Sequence, residues 1–354
     1  MRVPWSKLRG DPGDPDEVPL APGPFDGDPA LQDDPWFLRP GDVPGPGAGQ
    51  ADPSLAAWRA AQGDAVLELA DLAEATGALG ARLRAGPGGA AGRLALAEAA
   101  ALSWWAGDRV APERLALWQG GYLKGAGIGA RALERAAWAA RRLAGGPGPG
   151  DGLAAFLGRP EDGQRGALMR GELAPRGLHP AVAAARVFAV WHRPVSDEAA
   201  AMEAGVLAAR VGAGAGAETR TGAGAGTGAG AGLAFLPLAG AGAAALAARG
   251  AAGDRLGPWL AGAASAVRAA ALDLDRVALW QARAAAETAD LSGRTVPGLI
   301  AALAAVPVLS AAGAGAATGA SRAAVHRNLD ILGRRGLVRE VTGQGRYRAW
   351  AARV

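Results

Sequence analysis

The chain has 354 residues, enough for two domains and a tail, and half of them are hydrophobic, with alanine the commonest of these. It has no cysteine, which excludes a disulfide framework, a thiolate metal site and a cysteine nucleophile. The net charge of +4 is uneven, because residues 1–52 hold ten acidic against four basic side chains and leave about +10 on the remainder.

Residues 1–54 are predicted to be a disordered, acidic, Pro/Gly-rich tail. Pro, Gly and Asp alternate there without periodicity, and about half of the 24 prolines fall within it. Such a composition buries too little surface to offset the entropy of ordering. Trp5, Phe25, Trp36 and Phe37 interrupt it. No apolar h-region of a secretory signal is visible, and a cytoplasmic location is expected.

From 55 to 290 the periodicity predicts an alanine-rich helical bundle. Val66, Leu69, Leu72, Thr76, Leu79 and Leu83 step by three and four residues. Leu94, Ala97, Ala101, Trp104 and Trp105 mark a second helix, ended by Gly107. Pro112 opens a third with Leu115 and Trp118, and Leu133, Ala137, Ala140 and Leu143 mark a fourth. Aromatics at this spacing are read as core in preference to a ligand platform. His179-Pro180 opens another helix, and Ser196 caps the next, with Asp197 and Glu198 in its first turn. Residues 212–232 form a Gly-Ala low-complexity insertion. It lacks the strand, helix and Gly-Lys-Ser/Thr of a phosphate loop. The uncharged run Thr221–Ala248 is too weakly apolar to span a membrane. A long helix is expected over Gly257–Asp290. Its seam of Leu260, Ala264, Val267, Ala271, Leu274 and Ala278 could close across a homodimer or on the chain's own bundle.

Residues 291–354 carry the most readable pattern. Leu299, Ile300 and Leu303 mark one helix, and Ala311–Thr318 a second. That second helix contains Gly313 and Gly315, each about 1 kcal/mol worse than Ala, and no large apolar residue. Ser321 is placed as the N-cap of a third helix whose apolar stripe is Val325, Leu329 and Leu332, with Gly336 at its end. Leu337–Val341 and Arg346–Trp350 then read as a hairpin around Thr342-Gly343-Gln344-Gly345. This order predicts a winged helix-turn-helix, so the fold class is mainly α with a C-terminal winged domain. Eight arginines against Asp330 and Glu340 follow Ser321, the electrostatic footprint of double-stranded DNA as partner. The candidate DNA-binding residues are Ser321, Arg322, His326 and Arg327 at the helix start, Arg334 at its end, and Thr342, Arg346 and Arg348 on the wing. The competing reading is a winged domain that docks a protein, its arginines a solvated face.

No metal, cofactor or catalytic constellation is predicted. The three histidines are dispersed, and no G-x-S-x-G, Walker or metal-ligand spacing occurs. The segment Arg339-Glu340-Val341-Thr342-Gly343-Gln344-Gly345-Arg346-Tyr347-Arg348 resembles the C-terminal winged helix of Fic-type proteins. That family transfers AMP through a His-Pro-Phe motif and an Asn-Gly-Arg element. Here His179-Pro180 is followed by Ala181 and no Asn-Gly-Arg exists, so the resemblance implies the winged domain and not the activity. An inactive relative of those transferases that docks a protein partner is the alternative it leaves open. Phe235-Leu236-Pro237-Leu238, Trp259, Leu272-Asp273-Leu274-Asp275-Arg276 and the Glu340-Val341-Thr342-Gly343 wing resemble a family of alphaproteobacterial proteins, often plasmid-borne in rhizobia. These pair a helical domain of unknown function with a C-terminal helix-turn-helix. The resemblance implies DNA binding and no more, and a DNA-binding transcriptional regulator is the leading expectation.

Overall fold

A computed structural model describes residues 54–123, 129–160, 177–192, 198–214, 233–342 and 348–354. Residues 1–53 of the predicted tail, Ser196, Asp197, residues 215–232 of the insertion and Arg346 lie outside the described residues. The helices are α1 (Leu55–Asp64), α2 (Val66–Ala85), α3 (Ala90–Ala106), α4 (Pro112–Gln119), α5 (Ala130–Ala144), α6 (Leu153–Leu157), α7 (Pro180–His192), α8 (Glu198–Gly212), α9 (Ala244–Ala247), α10 (Ala252–Glu287) and α11 (Thr295–Ala305). Strand β1 (Leu309–Ser310), α12 (Ala311–Thr318), α13 (Arg322–Arg334), β2 (Val338–Glu340) and β3 (Ala349–Ala352) complete the chain. It is mainly helical with a small sheet near the C-terminus, and no helix among the described residues is long and apolar enough to cross a membrane.

The punctuation works as local chemistry requires. The Ser54 hydroxyl accepts the Ala57 N–H at 3.3 Å to start α1. Gly107 ends α3 at φ 97°, a left-handed turn that a side chain would strain. His179 is a helix-start residue: its Nδ1 accepts the Ala181 N–H at 3.2 Å. Helix α7 is buried on every side from Ala181 to Trp191, Arg186 included, as its otherwise apolar sequence requires.

Alanine and glycine let the helices approach closely. Gly262 of α10 lies against the Ala244–Ala245 backbone of α9, with no room for a Cβ. The predicted seam closes on the chain's own bundle. Leu260, Ala264, Val267, Ala271 and Leu274 are buried in the first hydrophobic cluster, where α10 packs on α1, α2 and α9, while Ala278 is exposed. Beyond Leu274 the same helix changes core. Val277, Trp280 and Ala284 belong to a second cluster with α11, α13, β2 and β3. The boundary between cores therefore falls inside α10, ahead of residue 290.

Glu98 is a charged group inside the first core. Its Oε1 accepts the N–H groups of Leu238 at 2.7 Å and Ala239 at 2.8 Å, so it holds the buried Phe235–Ala239 segment against α3. Burial pushes its carboxyl up from 4.5 to about 7, against the opposing pull of those backbone N–H groups. Folding therefore takes up a proton between these values, and stability falls as pH rises from 4.5 through 7. Glu98→Gln, which keeps the oxygen but cannot ionise, should flatten that slope. The difference between acid and neutral pH is on the order of 3 kcal/mol in urea titrations.

Two glycines in helices should respond oppositely to alanine. Gly262→Ala forces α9 away and should cost about 1–3 kcal/mol. Gly77 in α2 is exposed, with nothing within 4 Å of the place an alanine methyl would take. Gly77→Ala should therefore stabilise by about 0.5–1 kcal/mol, both effects read from denaturation midpoints.

Candidate nucleic-acid interface

The C-terminal elements run helix, strand, helix, helix, strand, strand, and the three strands pair antiparallel in the order β1-β3-β2. Leu309, Trp350 and Glu340 are in register across the sheet, as are Ser310 with Ala349 and Arg339 with Ala351. Alternation puts Leu309, Trp350, Val338 and Ala352 on the face toward the second core. The other face carries Ser310, Ala349, Ala351 and Arg339. Its strand residues Ala349 and Ala351 are buried as well. Tyr122 meets that face through a hydroxyl–hydroxyl bond to Ser310, and Glu113 of α4 pairs with Arg339 at 3.0 Å. With both faces covered, β3 is uniformly buried, and small residues are what the crowded face admits.

Two expectations need correction here. The strand expected to end at Trp350 runs on to Ala352, because the central strand takes apolar residues on both faces, and the described strand is Ala349–Ala352. The first strand, Leu309–Ser310, was not expected at all, since two residues carry no periodicity.

Helix α13 is fixed at both ends. The Ser321 hydroxyl accepts the Ala324 N–H at 3.3 Å. At the other end Gly336 takes φ 69°, its N–H bonds Gly333 O and the Leu337 N–H bonds Leu332 O, both at 3.0 Å. That is a Schellman cap, sealed by Leu332 and Leu337, which are both fully buried. Val325, Leu329 and Leu332 form the buried stripe. Helix α12 contributes Ala314 alone to the core, as its composition implied.

Polar bolts fasten the module to the body. The Trp280 indole N–H donates to the Leu337 carbonyl at 2.8 Å. Arg335 grips both oxygens of Asp290, at 2.6 and 2.7 Å, and this bond holds the Asp290 carboxyl below its ordinary range. Arg93 of α3 donates to the Val306 carbonyl at 2.9 Å, just past the C-terminus of α11. Sequence periodicity could have found Trp280, since Val277, Trp280 and Ala284 continue the stripe of α10 at three- and four-residue steps.

These bolts sort the arginines. Arg335 and Arg339 are paired with Asp290 and Glu113. Arg348 donates to Glu340 at 2.7 Å, lies 3.7 Å from Asp330 and stacks over the Trp350 ring at 5.0 Å. Arg322, Arg327 and Arg334 are exposed and have no ion-pair partner among the described residues. Of the other candidates, His326 is half-buried and meets Trp350 edge-on at 5.5 Å. Thr342 accepts the Ala349 N–H at 3.3 Å and donates to Glu340 at 3.1 Å, closing the hairpin. Arg346 lies outside the described residues. Arg327 and Arg334 thus lie on one outer side of α13, Arg322 is exposed at its first turn about 140° round the axis from Arg327, and His326, Thr342 and Arg348 brace the sheet behind the helix.

Among the described residues no three His, Cys, Asp or Glu side chains group as a metal site would require. His192 stacks on Phe188 at 5.3 Å and beside Trp105 at 5.4 Å. Burial, then Arg249 and Arg255, lower it to about 4, so it is neutral at physiological pH.

Trp280→Phe tests how the body holds this module. It removes the indole donor and part of the ring, while the Leu337 carbonyl keeps the Arg353 N–H at 3.0 Å. A loss of about 1–2 kcal/mol is expected in urea unfolding.

No protein-family model and no curated protein matches this chain.

Proposed function

We propose that the chain binds double-stranded DNA through a C-terminal winged helix-turn-helix and acts as a transcriptional regulator. In this reading α13 is the recognition helix in the major groove, β2 and β3 form the wing, and the helical body is the carrier. The observation that carries it is the sorting of charge. Arginines that face the body are neutralised by carboxylates, whereas Arg322, Arg327 and Arg334 on the outer surface of a doubly capped helix have no such partner among the described residues. Unpaired cations on a rigid, exposed helix match a row of phosphates flanking a groove. The order of strands and helices and the resemblance to helix-turn-helix proteins support the same reading.

Binding of labelled duplexes at two salt concentrations tests it. Arg327→Ala should cost about 1–3 kcal/mol on a preferred site and relax discrimination between sites. Arg334→Ala should weaken all duplexes alike and reduce the salt slope by about one unit. Arg339→Ala should leave that slope unchanged, because Glu113 already offsets its charge. A wild-type chain that binds no duplex would replace this reading with that of a protein-docking module.

A further inference from the structure

Helix α13 carries one acidic residue on its outer surface. Asp330 lies three residues after Arg327 and four before Arg334, on the same side of the helix, and all three are exposed. A carboxylate there repels every phosphate backbone equally, so it lowers affinity for all sequences. Packing does not require it. The cation beside it, Arg348, is 3.7 Å away, beyond hydrogen-bond reach, and places its short bond on Glu340 instead. No donor among the described residues bonds the Asp330 oxygens. Arg348 therefore softens the charge of Asp330 without occupying its acceptors.

We propose that Asp330 is a specificity-determining residue that selects a cytosine in the major groove beside a guanine read by Arg327. This inference rests on the DNA-binding reading above. An ionised carboxylate only accepts hydrogen bonds. In the major groove cytosine offers an amino donor at N4 without an acceptor of its own beside it, whereas adenine couples its N6 donor to the N7 acceptor. Guanine and thymine present acceptors, which a carboxylate meets with repulsion. Arg327, which only donates, complements the guanine O6 and N7. One turn of α13 thus places a donor-only and an acceptor-only group side by side. Neighbouring Asn328 is half-buried on another side of the helix, where its Nδ2 donates to the Ala324 carbonyl at 2.8 Å.

The test is selection from a randomised duplex pool by the full chain, comparing wild type with Asp330→Ala and Asp330→Asn. Asp330 is half-exposed, and its removal opens no core. Wild type should enrich cytosine at one position about tenfold. Asp330→Ala should lose that enrichment, keep the others and bind unselected duplex more tightly. Asp330→Asn should move the preference at that position from cytosine to adenine, since an amide can both donate and accept. If the alanine variant binds more tightly but all three proteins select the same sequences, Asp330 merely neighbours Arg348 and the proposal is overturned. Wild type that binds every duplex without preference overturns it too, while leaving DNA binding intact. Failure of wild type to bind any duplex removes the underlying reading itself.

Discussion

Helix α10 is the element both hydrophobic cores share. Its 36 residues span about 54 Å, and its apolar stripe faces α1, α2 and α9 along its first two-thirds before turning to serve α11, α13 and the sheet. Such a helix does not owe its length to propensity: Gly253, Gly257, Pro258 and Gly262 all fall in its first turns. Burial on both partners supplies the stability. Trp280 marks the handover, because its ring lies in the second core while its N–H reaches the carbonyl that follows the Schellman cap of α13. The orientation of the basic helix is thereby set from within the body.

Charge distribution is the second organising principle, and it depends on that packing. A count of arginines after Ser321 treats them alike, yet each has a distinct fate. Arg335 and Arg339 are bonded inward, Arg348 is braced among Glu340, Asp330 and Trp350, and Arg322, Arg327 and Arg334 stay exposed on α13. Exposed pairs such as these add little stability individually. Their effect is geometric, since they fix which face of the module remains basic.

Helical character was legible in the sequence because alanine-rich stripes at three- and four-residue steps are long and are punctuated by glycine and proline. The caps at Ser321 and Gly336 were legible for the same local reasons. The sheet was legible only in part. A two-residue strand such as Leu309–Ser310 is invisible to periodicity, and Ala349–Ala352 reads as helix or strand until its neighbours are known. At the candidate interface the residue types were legible but their partners were not. His326 and Thr342 look like free polar groups in the sequence, whereas in space they brace the sheet through Trp350 and the hairpin ends. Long-range pairs such as Arg335 with Asp290 depend on chain path, which no local pattern encodes.

The sharing of α10 bears on how such a chain can evolve. A module that owned its whole core could be copied onto other proteins by recombination. Residues 291 onward could not, because Val277, Trp280 and Ala284 would stay behind and leave one wall of the core open. The back of the sheet, with Ser310, Ala349 and Ala351 against the body, would be bared at the same cut. A cut that keeps this core whole has to fall inside α10, ahead of Val277, and not in the loop that follows the helix.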